Sequence, residues 1–271
     1  MSEAFAPAKV NLALHVTGLR EDGYHLLDSL VVFADVGDRL RVTEGDGLHL
    51  SVTGPMAAGV PVDERNSILQ AARFLGQDEL SFELEKHLPS AAGIGGGTSD
   101  AAAALRAVAA LRGVQVPEDL LPLGADMPVC AFGHAALMRG IGENVVAVEG
   151  LPDLYCVLVN PGVAVPTGAV FNALARKNNP PMDPLPVRPG FGEFVQWLVR
   201  QRNDLEPAAI AVQPVIGDVL RAIAGTKGCG LARMSGSGAT CFGLYATAPE
   251  AEAAAGALKR DGWWVVAARL S

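Results

Sequence analysis

Residues 89–100 read Pro-Ser-Ala-Ala-Gly-Ile-Gly-Gly-Gly-Thr-Ser-Asp and run straight into an alanine- and leucine-rich stretch over 101–111. Glycines let consecutive backbone N–H groups close on a ligand, and a helix start adds unpaired N–H groups and a positive dipole end. Phosphate is the guest that such a cradle suits. Two familiar phosphate loops fail here. The Walker pattern needs a lysine after its last glycine, and none lies between 87 and 112. The dinucleotide pattern accepts Gly93 and Gly95 but finds Thr98 in its third place. Composition alone also allows a structural glycine turn before a buried helix. Thr98 and Ser99 add hydroxyls suited to capping that helix or to touching Mg²⁺.

Lys9 lies on a strand-like segment, Ala6–Val16, whose two faces differ. Val10, Leu12, Leu14 and Val16 point one way, and Lys9, Asn11, Ala13 and His15 the other. A lone lysine on such a strand is an ordinary solvated side chain; an amide and an imidazole on the same face make it a candidate for chemistry. Asp126 sits in the apolar run Leu123-Gly124-Ala125-Asp126-Met127-Pro128-Val129. An unpaired buried carboxylate is costly, so Asp126 must meet a cation, a helix end or a substrate hydroxyl, or act as a turn residue before Pro128. Ser235-Gly236-Ser237-Gly238-Ala239-Thr240 reads as a tight turn between strands. The five histidines show no metal-ligand spacing, and no G-x-S-x-G supports a serine hydrolase.

These groups need a mixed scaffold. Strand patterns cover 6–16, 26–33, 38–43, 48–53, 80–88, 154–159 and 263–267, with a turn at 20–23. Helix patterns cover 66–75, 101–111 with Gly113 as its stop, 191–202, and 249–259 capped at Thr247 or Ala248. The 101–111 helix is apolar nearly all round and must be buried. Residues 178–189 are Pro-rich and loop-like, 112–121 looks like a truncated surface helix, and 234–245 is a strand–turn–strand element. A change of texture near 148 predicts two lobes, 1–148 and 149–271, in an α+β or α/β chain.

Of the 271 residues, 50% are hydrophobic and 18% charged, which excludes a mainly disordered chain. The mean hydropathy is +0.28, yet no apolar run reaches the length of a spanning helix. A net charge of −8 with no cluster of Lys and Arg argues against nucleic acid or an anionic membrane surface as partner. The opening residues lack a basic start and an apolar core, and Cys130, Cys156, Cys229 and Cys241 form no C-x-x-C pair. Both features predict reduced, buried thiols in a cytoplasmic protein.

Taken in order, Pro7–Leu12, Gly18–His25, Leu88–Asp100, Leu123–Val129 and Met234–Tyr245 resemble the motifs of the GHMP kinase superfamily. Asn203-Asp204-Leu205-Glu206-Pro207 fits the same family, and the likeness covers most of the chain. The resemblance implies a two-lobed fold, with an N-terminal ribosomal-protein-S5-domain-2-like lobe, a C-terminal ferredoxin-like lobe and the active site in the cleft between them. It implies ATP-dependent phosphorylation, with Mg²⁺, of a small alcohol. Within the family the likeness points to the 2-hydroxyl of a cytidine-diphosphate-linked methylerythritol, in the non-mevalonate route to isoprenoid precursors.

By the same resemblance Asp126 is the base and Lys9 its charge-stabilising partner. Pro89, Ser90, Ala91, Ala92, Gly93, Ile94, Gly95, Gly96, Gly97, Thr98 and Ser99 cradle the ATP phosphates, and Gly236 and Gly238 close over them. Asn66, Ser67 and Lys86 meet the adenosine. Asn11 and Thr167 contact the substrate, His25 hydrogen-bonds its cytosine, and Tyr24 and Phe171 sandwich that base. Thr98, Ser99 and Asp126 are the candidate Mg²⁺ ligands, none singled out. The expected state is a monomer or weak homodimer. Ser90-Ala91-Ala92 departs from the Met-Gly-Gly common in relatives, and Thr98 replaces a more usual serine. Two alternatives stay open: another small-molecule kinase of this superfamily, of homoserine or mevalonate type, or a non-catalytic nucleotide-binding scaffold.

Overall fold

The computed structural model describes residues 1–271. In chain order its elements are β1 (Ser2–Leu19), β2 (His25–Glu44), β3 (Leu48–Thr53), α1 (Ser67–Phe74), β4 (Leu80–Glu85), α2 (Gly96–Arg112), α3 (Met127–Phe132), β5 (Ala136–Gly140) and β6 (Asn144–Ala147). There follow β7 (Leu154–Asn160), α4 (Thr167–Asn172), α5 (Phe191–Arg200), α6 (Glu206–Val212), α7 (Val215–Ala224), β8 (Leu231–Met234), β9 (Cys241–Tyr245), α8 (Ala248–Leu258) and β10 (Trp264–Leu270). The chain packs as two units, and neither is a single run of sequence. Residues 1–9, 36–90 and 95–133 make the first; residues 10–35, 91–94 and 134–271 make the second. A single cut at 148 therefore does not follow the packing, because β1 and β2, 18 and 20 residues long, each contribute to both units.

In the first unit the last part of β2 pairs antiparallel with β4, and β3 pairs parallel with β4. The helices α1 and α2 pack on each other through small buried side chains, among them Ala71, Ala72 and Ala101–Ala104. Small residues let two helix backbones come close, which is what an alanine-rich helix needs to bury itself on several sides. The helix α2 ends as expected, with Gly113 left-handed at φ 67° and its N–H returned to Ala109 O. It begins earlier than the apolar pattern suggests, inside the glycine loop. The first helical N–H groups have no intrahelical partner, so Gly96 and Gly97 can join the helix without displacing a hydrogen bond.

In the second unit β7, the helices α5–α7, β8, β9, α8 and β10 follow one another, and the sheet order is β10-β7-β9-β8. All three pairings are antiparallel. This is the ferredoxin-like arrangement expected of the C-terminal lobe. Val157, Val159, Ile216, Val219, Ile223, Cys241, Tyr245, Ala254 and Leu258 form its core with Leu14 and Val16 of β1. The start of α8 is a capping box between Thr247 and Glu250. Residues 25–35 of β2 continue into this unit, where they pair with β5, which pairs in turn with β6.

Several expectations change. The strands predicted at 26–33 and 38–43 are one strand, because Gly37 continues β2 where a side chain would collide with Ala6 O, only 2.2 Å from an added Cβ. No helix follows α2 in 113–120, and α3, α4, α6, α7, β5 and β6 occupy stretches for which none was expected. All four cysteines are free; Cys130, Cys156 and Cys241 are buried, and Cys229 is partly so. Most consequential is β1, which is buried on both faces rather than one: Lys9, Asn11 and His15 are as inaccessible as Val10 and Leu12. Each polar side chain of that face has found a partner.

His15 shows the cost of such burial. Its Nε2 accepts from the Arg202 backbone N–H at 3.0 Å, which leaves Nδ1–H to donate to Pro180 O at 3.1 Å. Both bonds belong to the neutral ring. Burial pushes His15 below its ordinary pKa, and the Arg202 guanidinium acts in the same direction, against the Pro180 carbonyl and Asp204. A folded-state pKa below the unfolded one contributes stability that is fully present above about pH 6.5 and is lost progressively as the pH falls from there through the lower folded-state value. Urea unfolding between pH 7 and 5 should therefore show a steeper loss in the wild-type chain than in His15→Asn, and parallel losses would clear His15 of that role.

Candidate active site

In the first unit, β1 delivers Lys9 and the turn before α3 delivers Asp126. Lys9 Nζ donates to Asp126 Oδ2 at 2.7 Å, with the lysine side chain 4% exposed and the aspartate 36%. Asp126 stands at the cap position of α3, yet its side chain caps nothing there. Its hydrogen-bonding capacity goes to the lysine instead, and Oδ1 is left to face solvent. An ammonium buried this deeply is tolerated only against such a partner.

The glycine loop meets the same pair. Gly95 is left-handed at φ 63°, and a Cβ there would lie 3.2 Å from Lys9 Cβ and 3.3 Å from Lys9 Cε. The backbone thus lies along the lysine stem. No side chain caps α2 and no acidic residue stands in its first turn, so the N–H groups of Gly95, Gly96, Gly97 and Thr98 keep their anion-binding capacity. Glycine loop, ammonium and carboxylate are brought together in one unit. Behind them, the Arg106 guanidinium donates to Phe5 O at 2.9 Å and Cys130 O at 3.3 Å, tying α2 to β1 and α3.

Three residues expected at the adenosine are engaged by the protein itself. Asn66 caps α1, accepting from Ile68 N at 2.9 Å and donating to Pro61 O at 2.7 Å. Ser67 donates to Gly97 O at 2.8 Å. Lys86 is buried and bound by two carboxylates, Asp38 and Asp100, neither of which motif reading singled out. A signal for Asp100 exists: it is an acidic residue in a helix that is otherwise apolar nearly all round. Within the loop, Ser90, Ala91 and Gly97 are exposed, Pro89, Ala92 and Ile94 are buried, and Thr98 is half-buried. The Ser99 hydroxyl is directed to Cys130 Sγ at 3.7 Å. Ala91 holds a left-handed φ of 50°, which glycine adopts more readily.

The second unit holds the other half of the loop and the residues expected at the substrate. Gly236 and Gly238 lie against the backbone of Gly93. An added Cβ at Gly93 would come within 2.5 Å of Ser235 O and 2.7 Å of Gly238 N, and one at Gly236 within 2.6 Å of Gly93 O. Ser235 Oγ donates to Gly93 O at 3.0 Å and accepts from Asn11 N, and Thr240 N donates to Ala92 O. These glycines brace the loop by close backbone packing. The brace is itself held: Asn203 Nδ2 donates to Met234 O and Gly236 O, while Glu206 accepts from Met234 N. Burial raises the Glu206 carboxyl, with the Met234 N–H and Arg233 opposing.

Asn11 donates to Ser29 Oγ at 2.8 Å, and its Oδ1 is buried without a partner. His25 Nε2 is likewise buried and unpartnered. The His25 and Phe171 rings meet at 4.7 Å between centroids, so Phe171 is joined by histidine. Tyr24 is 55% exposed at the β1–β2 turn. Burial and nearby Lys177 lower the His25 pKa, favouring the neutral ring. Thr167, at the start of α4, shares a 2.9 Å hydrogen bond with Ser237.

Gly93→Ala should cost roughly 2 kcal/mol or more, through both its left-handed backbone and the collision with Ser235. Gly113→Ala, left-handed but with open space around it, should cost only about 1 kcal/mol. Urea denaturation of the two variants measures the difference, and equal losses would show that crowding at Gly93 is relieved cheaply.

Comparison with known proteins adds the following. Residues 66–140 match the GHMP kinases N terminal domain and residues 189–262 the GHMP kinases C terminal domain. The 4-diphosphocytidyl-2-C-methyl-D-erythritol kinase of Cereibacter sphaeroides is 56% identical over 276 residues, covering 100% of this chain and 99% of that protein. A crystal structure of 4-(cytidine 5'-diphospho)-2C-methyl-D-erythritol kinase superimposes with a TM-score of 0.79 at 35% identity, covering 99% of both chains. Homoserine kinase from Cytophaga hutchinsonii shares the fold, with a TM-score of 0.68 at 22% identity over 98% of this chain and 94% of that one.

Proposed function

The chain belongs to the GHMP kinase family and, within it, to the 4-diphosphocytidyl-2-C-methyl-D-erythritol kinases, and from that premise we propose that it transfers the γ-phosphoryl group of ATP to the 2-hydroxyl of 4-diphosphocytidyl-2-C-methyl-D-erythritol. The product serves isoprenoid precursor biosynthesis. The observation that carries the mechanism is the 2.7 Å Lys9–Asp126 pair with Gly95 lying on the lysine stem. A homoserine or mevalonate acceptor finds no such support, since the likeness to homoserine kinase is one of fold.

Phosphoryl transfer asks for positioning and charge stabilisation more than for covalent chemistry. The N–H groups of Gly95–Thr98 hold the phosphates at the helix start, and the 91–94 half of the loop keeps its shape because Gly93 is locked to the 235–240 turn. Asp126 Oδ1 takes the hydroxyl proton as the acceptor oxygen bonds to the γ-phosphorus and the bond to ADP breaks. Lys9 fixes the other carboxylate oxygen and balances charge as it develops. No set of three or more histidine, cysteine or carboxylate side chains is gathered for a metal. A Mg²⁺ carried by the nucleotide needs only one or two protein groups, and the Asp126 carboxylate and Thr98 hydroxyl fit that need. When bound, the ion would offset the negative charge of the phosphates. The Ser99 hydroxyl, turned to Cys130, is not available for it.

On the acceptor side, the unpartnered Asn11 Oδ1 and His25 Nε2 offer an acceptor and a ring nitrogen to the substrate. The His25–Phe171 contact forms the aromatic wall for cytosine, with Tyr24 free to fold over the base. Asn66, Ser67 and Lys86 act on the nucleotide indirectly, through the elements that they hold. No helix is long and apolar enough to cross a membrane. The reading is completed by action in the cytoplasm on small molecules, as a monomer or weak homodimer.

ADP production by the purified chain should appear with the 4-diphosphocytidyl alcohol and not with homoserine or mevalonate, and turnover of either of those instead would move the chain to another branch of the family. Asp126→Asn should lower kcat by about 10²–10⁴-fold with both KM values within a few-fold of wild type. Undiminished kcat would remove Asp126 as base. Phe171→Ala should raise KM for the cytidine substrate while leaving KM for ATP in place; equal rises would dismiss the aromatic wall.

A further inference from the structure

The charged cluster on the inner side of the phosphate loop touches none of the reacting groups in the mechanism above. Lys86 Nζ donates to Asp38 Oδ2 at 2.5 Å and to Asp100 Oδ2 at 2.6 Å, and all three side chains are buried. Asp38 Oδ1 accepts from His87 N at 2.6 Å and Leu88 N at 2.8 Å, the two residues that lead into Pro89. Asp100 lies in the second turn of α2, just past the loop's exit. A Cβ added to Gly96 would lie 3.3 Å from Lys86 Nζ, so the first turn of that helix rests on the ammonium. The backbone of Lys86 is equally fixed: its N–H goes to Thr53 O at 2.7 Å and its carbonyl accepts from Met56 N at 3.0 Å.

One ammonium therefore ties the entry of the loop, through Asp38 on β2, to its exit, through Asp100 on α2. We propose that Asp38, Lys86 and Asp100 are positioning residues that set the spacing of the phosphate cradle, so that Lys86 acts on ATP through the loop rather than by touching the nucleoside. Rotamer freedom of a lysine gripped at both ends is small, and its length sets the distance between the two chain segments. Two carboxylates share one cation, and Asp100 Oδ1 is buried without a partner. Burial and the neighbouring Asp38 push the Asp100 carboxyl up, against the pull of Lys86. A neutral Asp100 still presents an oxygen to Lys86, which is why an amide in its place should serve.

This inference rests on the phosphate-cradle reading and is separable from it by choice of ligand. Lys86→Met would leave two buried carboxylates without their cation and threatens the fold, so the test uses Asp100→Ala, Asp100→Asn and Asp38→Asn. Equilibrium binding of ATP, of inorganic tripolyphosphate and of the cytidine substrate is measured for each folded variant. Asp100→Ala should weaken ATP and tripolyphosphate by a common factor, roughly 10- to 100-fold as expected for a misplaced binding group. The cytidine substrate should bind as before. Asp100→Asn should recover most of the loss, whereas Asp38→Asn, which turns an N–H toward the ammonium, should match Asp100→Ala and carries the same test should the alanine variant not fold. Weakened ATP with unchanged tripolyphosphate would overturn the proposal, because the cluster would then serve the nucleoside; unchanged affinity for both would overturn it as well. A wild-type chain that binds neither ATP nor tripolyphosphate would overturn the cradle reading itself, and this proposal with it.

Discussion

Removing an ammonium group from water costs several kcal/mol unless an anion meets it at close range. The first unit buries two, on Lys9 and Lys86, and much of the local structure follows from how they are answered. Lys9 is met by Asp126 and Lys86 by Asp38 and Asp100. The two lysines contact consecutive residues of the loop, the first at Gly95 and the second at Gly96. A side chain at either position would press on a lysine that cannot retreat without losing its carboxylate. The run of glycines thus has a packing cause as well as a ligand cause: the backbone must pass over two occupied ion pairs before α2 begins.

The two pairs divide the electrostatic work. Asp126 keeps one oxygen partly open to solvent, which is what a proton acceptor needs. Asp38 and Asp100 are closed in: the Asp38 oxygens are spent on Lys86 and on two backbone N–H groups, and Asp100 gives one oxygen to Lys86 while its other is buried without a partner. A half-exposed pair is suited to chemistry and a sealed one to holding geometry. Arg106 adds a third cation to this framework, directed only at backbone carbonyls, so it fixes chain positions without competing for any of the three carboxylates.

In the second unit, precision comes from backbone proximity instead of charge. Gly93 lies so close to the backbone of Ser235, Gly236 and Gly238 that neither Gly93 nor Gly236 has room for a Cβ, and Asn203 and Glu206 secure the turn that carries Gly236 and Gly238. Ala91 and Ala92 stand where the family resemblance implies glycines; Ala92 O accepts from Thr240 N within this crowded zone, and Ala91 falls outside it. Ala91 is exposed, so its left-handed backbone carries only the local steric penalty of a Cβ, about 1–2 kcal/mol, and no collision with a neighbour. That tolerance explains why the loop survives the substitution.

Local patterning was enough to read the strands 48–53 and 154–159, the amphipathic helix 66–75, the burial of α2 and its stop at Gly113, because alternation, helical periodicity and glycine stops act within a few residues of chain. It also exposed the motif order that marks the family, and with it Lys9 and Asp126 as partners. What it could not resolve were facts set by neighbours distant in sequence. Nothing within Ala6–Val16 tells that its polar face is buried as fully as its apolar one, since that depends on Asp126, Ser29 and Pro180 arriving from 18 or more residues away. Nor could motif likeness separate a lysine that touches a nucleotide from Lys86, whose ammonium is claimed by Asp38 and Asp100. Residue type and spacing determine which groups are available for chemistry; only tertiary packing decides which remain free for a ligand, because burial drives most charged and polar atoms onto the partners that the fold brings within reach and leaves a few, such as Asn11 Oδ1 and His25 Nε2, with none.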